Sequence, residues 1–294
     1  MIKSYIKILF KYYIIIFITI ILLYIYYCTI RPIHHEGFQA ETINKTIWLL
    51  WLQGWDYAPW LPQQVKKSWE VKNPGWKVEL VTEANLRDYV TDIDYVYRDT
   101  ISPQAKSDII RLALLNKHGG VWADATLLCM KPLDSWIQDA IKPSGLWMYH
   151  GTGAQMDIKH GPASWFIVSV AGSPIIKKWK AGCDDYWKER KSTGNYFWMD
   201  GIFKNLYETD SDFKEEWNRV PYISCEDRGQ AHMFTEGLWK ENTKEIKQLL
   251  DESPPHVVKL WNNRWNDEFP DITSERCKQS NGYYAIEIAT SNEE

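Results

Sequence analysis

The chain carries two kinds of apolar pattern, and each predicts one kind of element. Short apolar or alternating runs, which are typical of buried strands, lie at residues 45–52, 76–81, 121–123, 145–150 and 164–170. Apolar residues at helical spacing lie at residues 61–72, 83–90, 103–118, 174–189 and 196–207. Strands that alternate with helices favour a mainly parallel sheet covered by helices. We therefore predict an α/β fold over residues 44–294.

A different pattern precedes this domain. Residues 12–30 contain no charged side chain and are long enough to cross a bilayer as a helix. Three lysines precede the segment and only Arg31 follows it closely, which predicts a cytoplasmic amino terminus. A cleaved signal peptide would have a shorter apolar core and a small-residue cleavage site, and we find no such site. The sequence thus predicts a tail (1–11), a transmembrane anchor (12–30) and a stem (31–43).

This orientation is that of a single-pass type II membrane protein. The domain would face the Golgi or ER lumen in a eukaryotic or viral setting, and the cell envelope in a bacterium. With a net charge of -4, the chain has no bulk basic surface for nucleic acid, so that class of partner is excluded. The four cysteines outside the anchor show no zinc-site spacing, and they either form up to two disulfides or stay buried thiols.

Residues 102–124 hold the most informative cluster of polar positions. Ser102 and Pro103 suit a helix start, and Gly119 suits a left-handed helix exit. Asp108 and Arg111 share one face of that helix, and Asp124 follows a short apolar strand, where ligands of α/β sheets bind. An intrahelical ion pair and a strand-end cap are the ordinary explanations of these residues. Their combination within seventeen residues favours a ligand site.

The chemistry that this cluster suits is sugar transfer from a nucleotide sugar. The departing diphosphate gains negative charge, and a divalent metal held by carboxylates is the usual way to stabilise it. Asp124 is the first candidate ligand. Asp200, in an otherwise apolar helix start, either orients the sugar or acceptor or caps its helix. Of 17 tryptophans, four are candidates for lining an acceptor groove: Trp165, Trp198, Trp261 and Trp265.

The segment SDIIRLALLNKHGGVWADATLLCMKPLD, residues 107–134, resembles the glycosyltransferases that carry a D-x-D sugar-binding region, in particular the capsular polysaccharide synthesis branch. Weaker similarity covers most of the chain beyond the stem. The resemblance implies the GT-A fold, a Rossmann-like mixed sheet flanked by helices. It also implies that Asp108 and Arg111 hold the donor, a UDP-sugar or a GDP-sugar with UDP favoured. Trp51 and Gln53, at the tip of the first strand, would approach the base and ribose.

The same resemblance implies that Asp124 binds Mn²⁺ or Mg²⁺. Threonine replaces the second aspartate of D-x-D in Asp124-Ala125-Thr126, so either the hydroxyl of Thr126 is the second ligand or the metal is held there through water. His256 resembles the distant histidine that completes such sites. We predict a retaining glycosyltransferase that extends a glycan acceptor, with Asp124 and Asp200 as catalytic residues. One alternative is a membrane-anchored glycan-binding protein that keeps the fold without turnover, because the second aspartate is missing. A second is an enzyme that acts on another phosphorylated substrate, such as a phosphosugar transferase.

Overall fold

A computed structural model describes residues 12–14, 16–22, 42–151, 161–192, 194–227, 229–232 and 237–291. The chain divides into two units, residues 1–39 and 40–294. In the first unit, the described residues 12–14 and 16–22 are helical. Within the described part of the chain, no helix has the length and apolar character needed to cross a membrane. Residues 15 and 23–30 of the predicted anchor lie outside the described residues, as do the predicted tail and residues 31–41 of the stem.

The described part of the second unit contains seven strands and eleven α-helices. The strands are β1 Thr46–Leu50, β2 Lys77–Val81, β3 Gly120–Ala123, β4 Leu127–Cys129, β5 Leu146–Gly151, β6 Gly161–Ser169 and β7 Val257–Lys259. The helices are α1 Trp60–Lys72, α2 Leu86–Tyr89, α3 Pro103–His118, α4 Ile137–Ile141, α5 Pro174–Glu189, α6 Trp198–Thr209, α7 Ser211–Asn218, α8 Lys244–Glu252, α9 Asn262–Glu268, α10 Glu275–Lys278 and α11 Asn281–Thr290.

The central sheet has five strands in the order β2-β1-β3-β6-β5. Strand β1 pairs in parallel with β2 and β3, whereas β6 is antiparallel to both β3 and β5. The expectation of a mainly parallel sheet therefore holds for β1, β2 and β3 only. Nine residues, 152–160, separate β5 from β6, and a parallel connection needs a dozen or more. The sheet is mixed, as the family resemblance implied.

The predicted strands and helices between residues 45 and 207 are present, with ends that differ by a few residues. The second sheet, in which β4 and β7 pair antiparallel, was not predicted. Strands of three residues are too short for an apolar period to show. Helices α4 and α7 to α11 were also missed. The four cysteines of the described part are buried and free, so the buried-thiol alternative is correct for Cys129, Cys183, Cys225 and Cys277.

Helix α3 carries the predicted polar pair through the core. The Ser102 hydroxyl accepts a hydrogen bond from the backbone N–H of Ala105, and Pro103 follows it in the first turn. Gly119 then leaves the helix with a φ of 64°. A side chain at Gly119 would place its Cβ 2.5 Å from the backbone nitrogen of Ala171. Glycine at this position therefore allows α3 to end directly against the strand layer, where β3 begins.

Candidate active site

A cavity of about 910 Å³ opens where β1 and β3 end. Ligands of open α/β sheets bind at the carboxyl ends of strands, which is where this cavity lies. It is lined by seven of the eight predicted site residues: Trp51, Gln53, Asp108, Arg111, Asp124, Thr126 and Asp200. The eighth predicted site residue, His256, is not among the described residues that line this cavity.

The guanidinium of Arg111 joins the two aspartates of the central segment. Its Nη1 lies 2.7 Å from Oδ1 of Asp108, and its Nη2 lies 3.2 Å from Oδ1 of Asp124. It also donates hydrogen bonds to the hydroxyls of Ser107 and Ser164. The Arg111 side chain is 6% exposed, so this cluster is held at the inner wall of the cavity. The sequence prediction that these three charged residues meet is confirmed.

Lys259 is a site residue that the sequence did not reveal. Its Nζ lies 2.8 Å from Oδ2 of Asp124 and donates to Oγ1 of Thr126 at 3.1 Å. The pairing of β4 with β7 sets this position, because Leu127 lies opposite Lys259. The signal that could have found it is a charged residue inside the apolar run Val257-Val258-Lys259-Leu260, since a buried lysine needs an anionic partner.

The same strand pairing explains why His256 is elsewhere. Cys129 lies opposite Val257, the first residue of β7. His256 directly precedes Val257, so it lies beyond the end of β7 that is opposite to Lys259. Its ring stacks on Trp136 with centroids 4.0 Å apart, and burial lowers its pKa to about 4. The structure therefore does not bring His256 together with Asp124 and Thr126. Its predicted role as a metal ligand is not supported by this geometry.

The three carboxyl groups of the cavity differ in their pKa. Burial raises the pKa of Asp108 to about 7, although Arg111 opposes this shift. Burial likewise raises the pKa of Asp200 to about 6. Burial acts in the same direction on Asp124, but the charges of Lys259 and Arg111 outweigh it, so the pKa of Asp124 is lowered. Asp124 is thus the carboxylate that is firmly ionised at neutral pH.

The donor set around Asp124 does not fit the divalent cation that the resemblance implied. Trp122 and Arg111 donate to Oδ1 of Asp124, and Lys259 donates to Oδ2. Two positive side chains would therefore face a cation bound to this carboxylate, and like charges at this separation repel. In the part of the chain that the structure describes, no group of three or more His, Cys, Asp or Glu side chains is placed to hold a metal.

Aromatic side chains form part of the cavity wall. Trp165 and Trp261 line it, as predicted for an acceptor groove, and the ring of His232 stacks on Trp165. Burial and the charge of Lys259 lower the pKa of His232 to about 4, so the ring is neutral at pH 7. The other two predicted tryptophans, Trp198 and Trp265, are buried in the core, where they pack against aromatic neighbours.

Comparison with known proteins shows that the chain is similar to glycosyltransferases. The chain is 29% identical to the initiation-specific alpha-1,6-mannosyltransferase of Candida albicans over 111 residues, which are 35% of this chain and 29% of that protein. It is 28% identical to glycosyltransferase afumC of Aspergillus fumigatus over 160 residues, which are 48% of this chain and 40% of that protein. The chain thus spans less than half of the length of these two relatives.

A solved structure and a family model complete the comparison. The PaToxG glycosyltransferase aligns with 83% of this chain and 86% of its own chain, at 14% identity and a TM-score of 0.39. The model of the family described as capsular polysaccharide synthesis protein matches residues 22–270. Because that match covers well over half of the residues, the chain belongs to the capsular polysaccharide synthesis protein family.

Proposed function

We propose that this protein is a glycosyltransferase that moves a sugar from a nucleotide-sugar donor to a glycan acceptor. The observation that carries the proposal is the contact of Asp124 with both Arg111 and Lys259 at the wall of the cavity. Two buried cations beside the ends of β1 and β3 suit the diphosphate of such a donor. The glycosyltransferase names of the relatives agree with this assignment.

In the proposed reaction, the bond between the anomeric carbon and the diphosphate oxygen breaks. An acceptor hydroxyl oxygen forms the new bond to that carbon, and its proton passes to the oxygen of the departing diphosphate. Arg111 and Lys259 would receive the negative charge that develops on the departing diphosphate. Asp108 would fix the guanidinium of Arg111, and Asp200, at the cavity wall, would accept a hydrogen bond from a donor or acceptor hydroxyl.

Trp51 and Gln53 follow the end of β1 at the cavity, and we assign the base and ribose of the donor to them. UDP-sugars are the favoured donors and GDP-sugars the next, with a mannosyl donor included because of the name of the Candida relative. Retention of the anomeric configuration is our expectation, and NMR of the product would test it. The GT-A arrangement is proposed from the three parallel strands and the site at their ends.

We also propose that residues 12–30 anchor the protein as a single-pass type II membrane protein. The uncharged sequence supports this, and the described residues of the segment, 12–14 and 16–22, are helical. Protease protection of the full-length chain in sealed vesicles would test it. If the domain were digested from the cytoplasmic side, the proposed orientation would be excluded.

The catalytic proposal is tested by transfer assays with full-length protein, UDP- and GDP-sugars and glycan acceptors. Asp124→Asn removes one charge with little change in shape, and we expect transfer to fall about a hundredfold or more. Asp134→Asn is the matched control, since Asp134 also pairs with a lysine, Lys45, but lies outside the cavity. Glycan binding without transfer or donor hydrolysis for any sugar would instead favour the binding protein without turnover.

A further inference from the structure

We propose that Lys259, together with Arg111, takes the place of a divalent cation and binds the donor diphosphate directly. Nucleotide binding and transfer would then not require a metal. This inference rests on the proposed function. It assigns the stabilisation of the negative charge on the diphosphate to two side chains instead of a metal. It replaces the expectation of Mn²⁺ or Mg²⁺ that the family resemblance gave.

The position of Lys259 is the first argument. Its side chain is 8% exposed, and its Nζ lies within 2.8 Å of the carboxylate that was expected to hold the metal. A lysine is rarely buried to this extent without a partner. The ammonium therefore neutralises Asp124 from the side of β7, while Arg111 neutralises it from the side of α3.

Unused hydrogen-bond donors are the second argument. An ammonium has three N–H donors, and the described contacts of Lys259 use two, to Asp124 and Thr126. The Nε of Arg111 is buried and has no hydrogen-bond partner in the described structure. A buried donor without a partner is costly unless a ligand or water satisfies it. The third N–H of Lys259, whose Nζ lies 5.8 Å from the centroid of the Trp165 ring, is therefore the donor left for an anionic ligand in the cavity. The buried Nε of Arg111 shows that the donors of the guanidinium are not all satisfied within the protein.

The threonine at position 126 is the third argument. A second aspartate there would serve a metal, but the hydroxyl of Thr126 accepts a hydrogen bond from Lys259 instead. The departure from D-x-D and the buried lysine therefore form one arrangement. In this arrangement the neutral hydroxyl of Thr126 orients the ammonium of Lys259, and the carboxylate of Asp124 balances its charge.

The test measures binding of UDP and of GDP to the purified full-length chain by calorimetry, once with EDTA and once with excess Mn²⁺. We expect the wild-type affinity to change by less than about threefold between the two conditions. Lys259→Met keeps the length of the buried chain and removes the charge. It should weaken binding about ten- to a hundredfold, since hydrogen bonds to charged groups contribute roughly 1.5 to 3 kcal/mol.

Lys180→Met is the matched control, because Lys180 is 9% exposed and pairs with Asp92 and Asp184 outside the cavity. It should leave nucleotide affinity unchanged. Wild-type binding that appears only with Mn²⁺, or equal affinities of wild type and Lys259→Met, would overturn the inference alone. Absence of nucleotide binding in both conditions would overturn the proposed function as well. The wild-type comparison decides the question even if Lys259→Met does not fold.

Discussion

The Nζ of Lys259 lies 2.8 Å from Oδ2 of Asp124, although 135 positions separate the two residues. One belongs to a short outlying strand, and the other follows a strand of the central sheet. Their contact completes a buried cluster in which Arg111 pairs with Asp108 and Asp124. Buried charges of this kind are stable only when each has its partners, and this condition leads to the first prediction.

Arg111→Ala should destabilise the fold strongly. The substitution leaves Asp108 and Asp124 without their shared cation, and loss of one member of a buried pair costs about 3 to 5 kcal/mol. Urea denaturation of the full-length chain would measure the change. Arg87→Ala is the control, because Arg87 is 66% exposed in its pair with Asp94, and exposed pairs contribute less than about 1 kcal/mol. Equal effects of the two substitutions would contradict the structural role of Arg111.

Asp108 should make stability depend on pH. Burial raises its pKa to about 7 in the folded protein, whereas an unfolded aspartate has a pKa of about 3.9. Between these values the folded state binds more protons, so this carboxyl lowers the free energy of unfolding as pH rises from about 4 towards 7. In urea titrations, wild type should lose stability relative to Asp108→Asn across that range. A difference that stays constant with pH would be inconsistent with a raised pKa.

Gly119→Ala should cost more than the same change at Gly172. Both glycines have positive φ, 64° and 68°, and sparsely populated backbone regions of this kind cost other residues about 1 to 3 kcal/mol. A Cβ at Gly119 would also lie 2.5 Å from the nitrogen of Ala171, whereas nothing lies within 4 Å of a Cβ at Gly172. The difference in melting temperature between the two variants would measure the additional cost of the steric contact at Gly119. Equal melting temperatures would show that the close approach of α3 to the strand layer adds no such cost.

Trp261→Ala and Trp265→Ala should separate binding from stability. Trp261 lines the cavity, so its removal should raise the KM for the acceptor about five- to tenfold and leave the melting temperature nearly unchanged. Trp265 is 1% exposed and packs against Phe269, so its removal should cost about 3 to 5 kcal/mol of stability. Transfer kinetics and thermal denaturation would be measured on both variants. A melting temperature lowered equally by both would place Trp261 in the core.

The parts of the site that the sequence predicted are those encoded locally. Asp108 and Arg111 lie on one helix, and Asp124 directly follows the next strand, so helical spacing and the glycine exit were enough to bring them together. The exposed and apolar faces of α5 likewise followed from its spacing, and its predicted ends agree with the structure.

The parts that the sequence missed depend on pairing between distant segments. Neither three-residue strand of the second sheet shows a period, so the position of Lys259 could not be deduced. The register of the same pair carries His256 away from Thr126. A tryptophan at helical spacing also gives no indication of whether it faces a cavity or the core, and Trp198 and Trp265 proved to be core residues.

The separation between Asp124 and Lys259 also sets an order of events during synthesis. A ribosome adds roughly 5 to 20 residues per second, so about 7 to 27 seconds pass between the appearance of the aspartate and that of its lysine. During this interval the nascent chain holds the guanidinium of Arg111 and two carboxylates without the second cation, Lys259. The cavity can therefore reach its final charge balance only after β7 has been translated and has paired with β4.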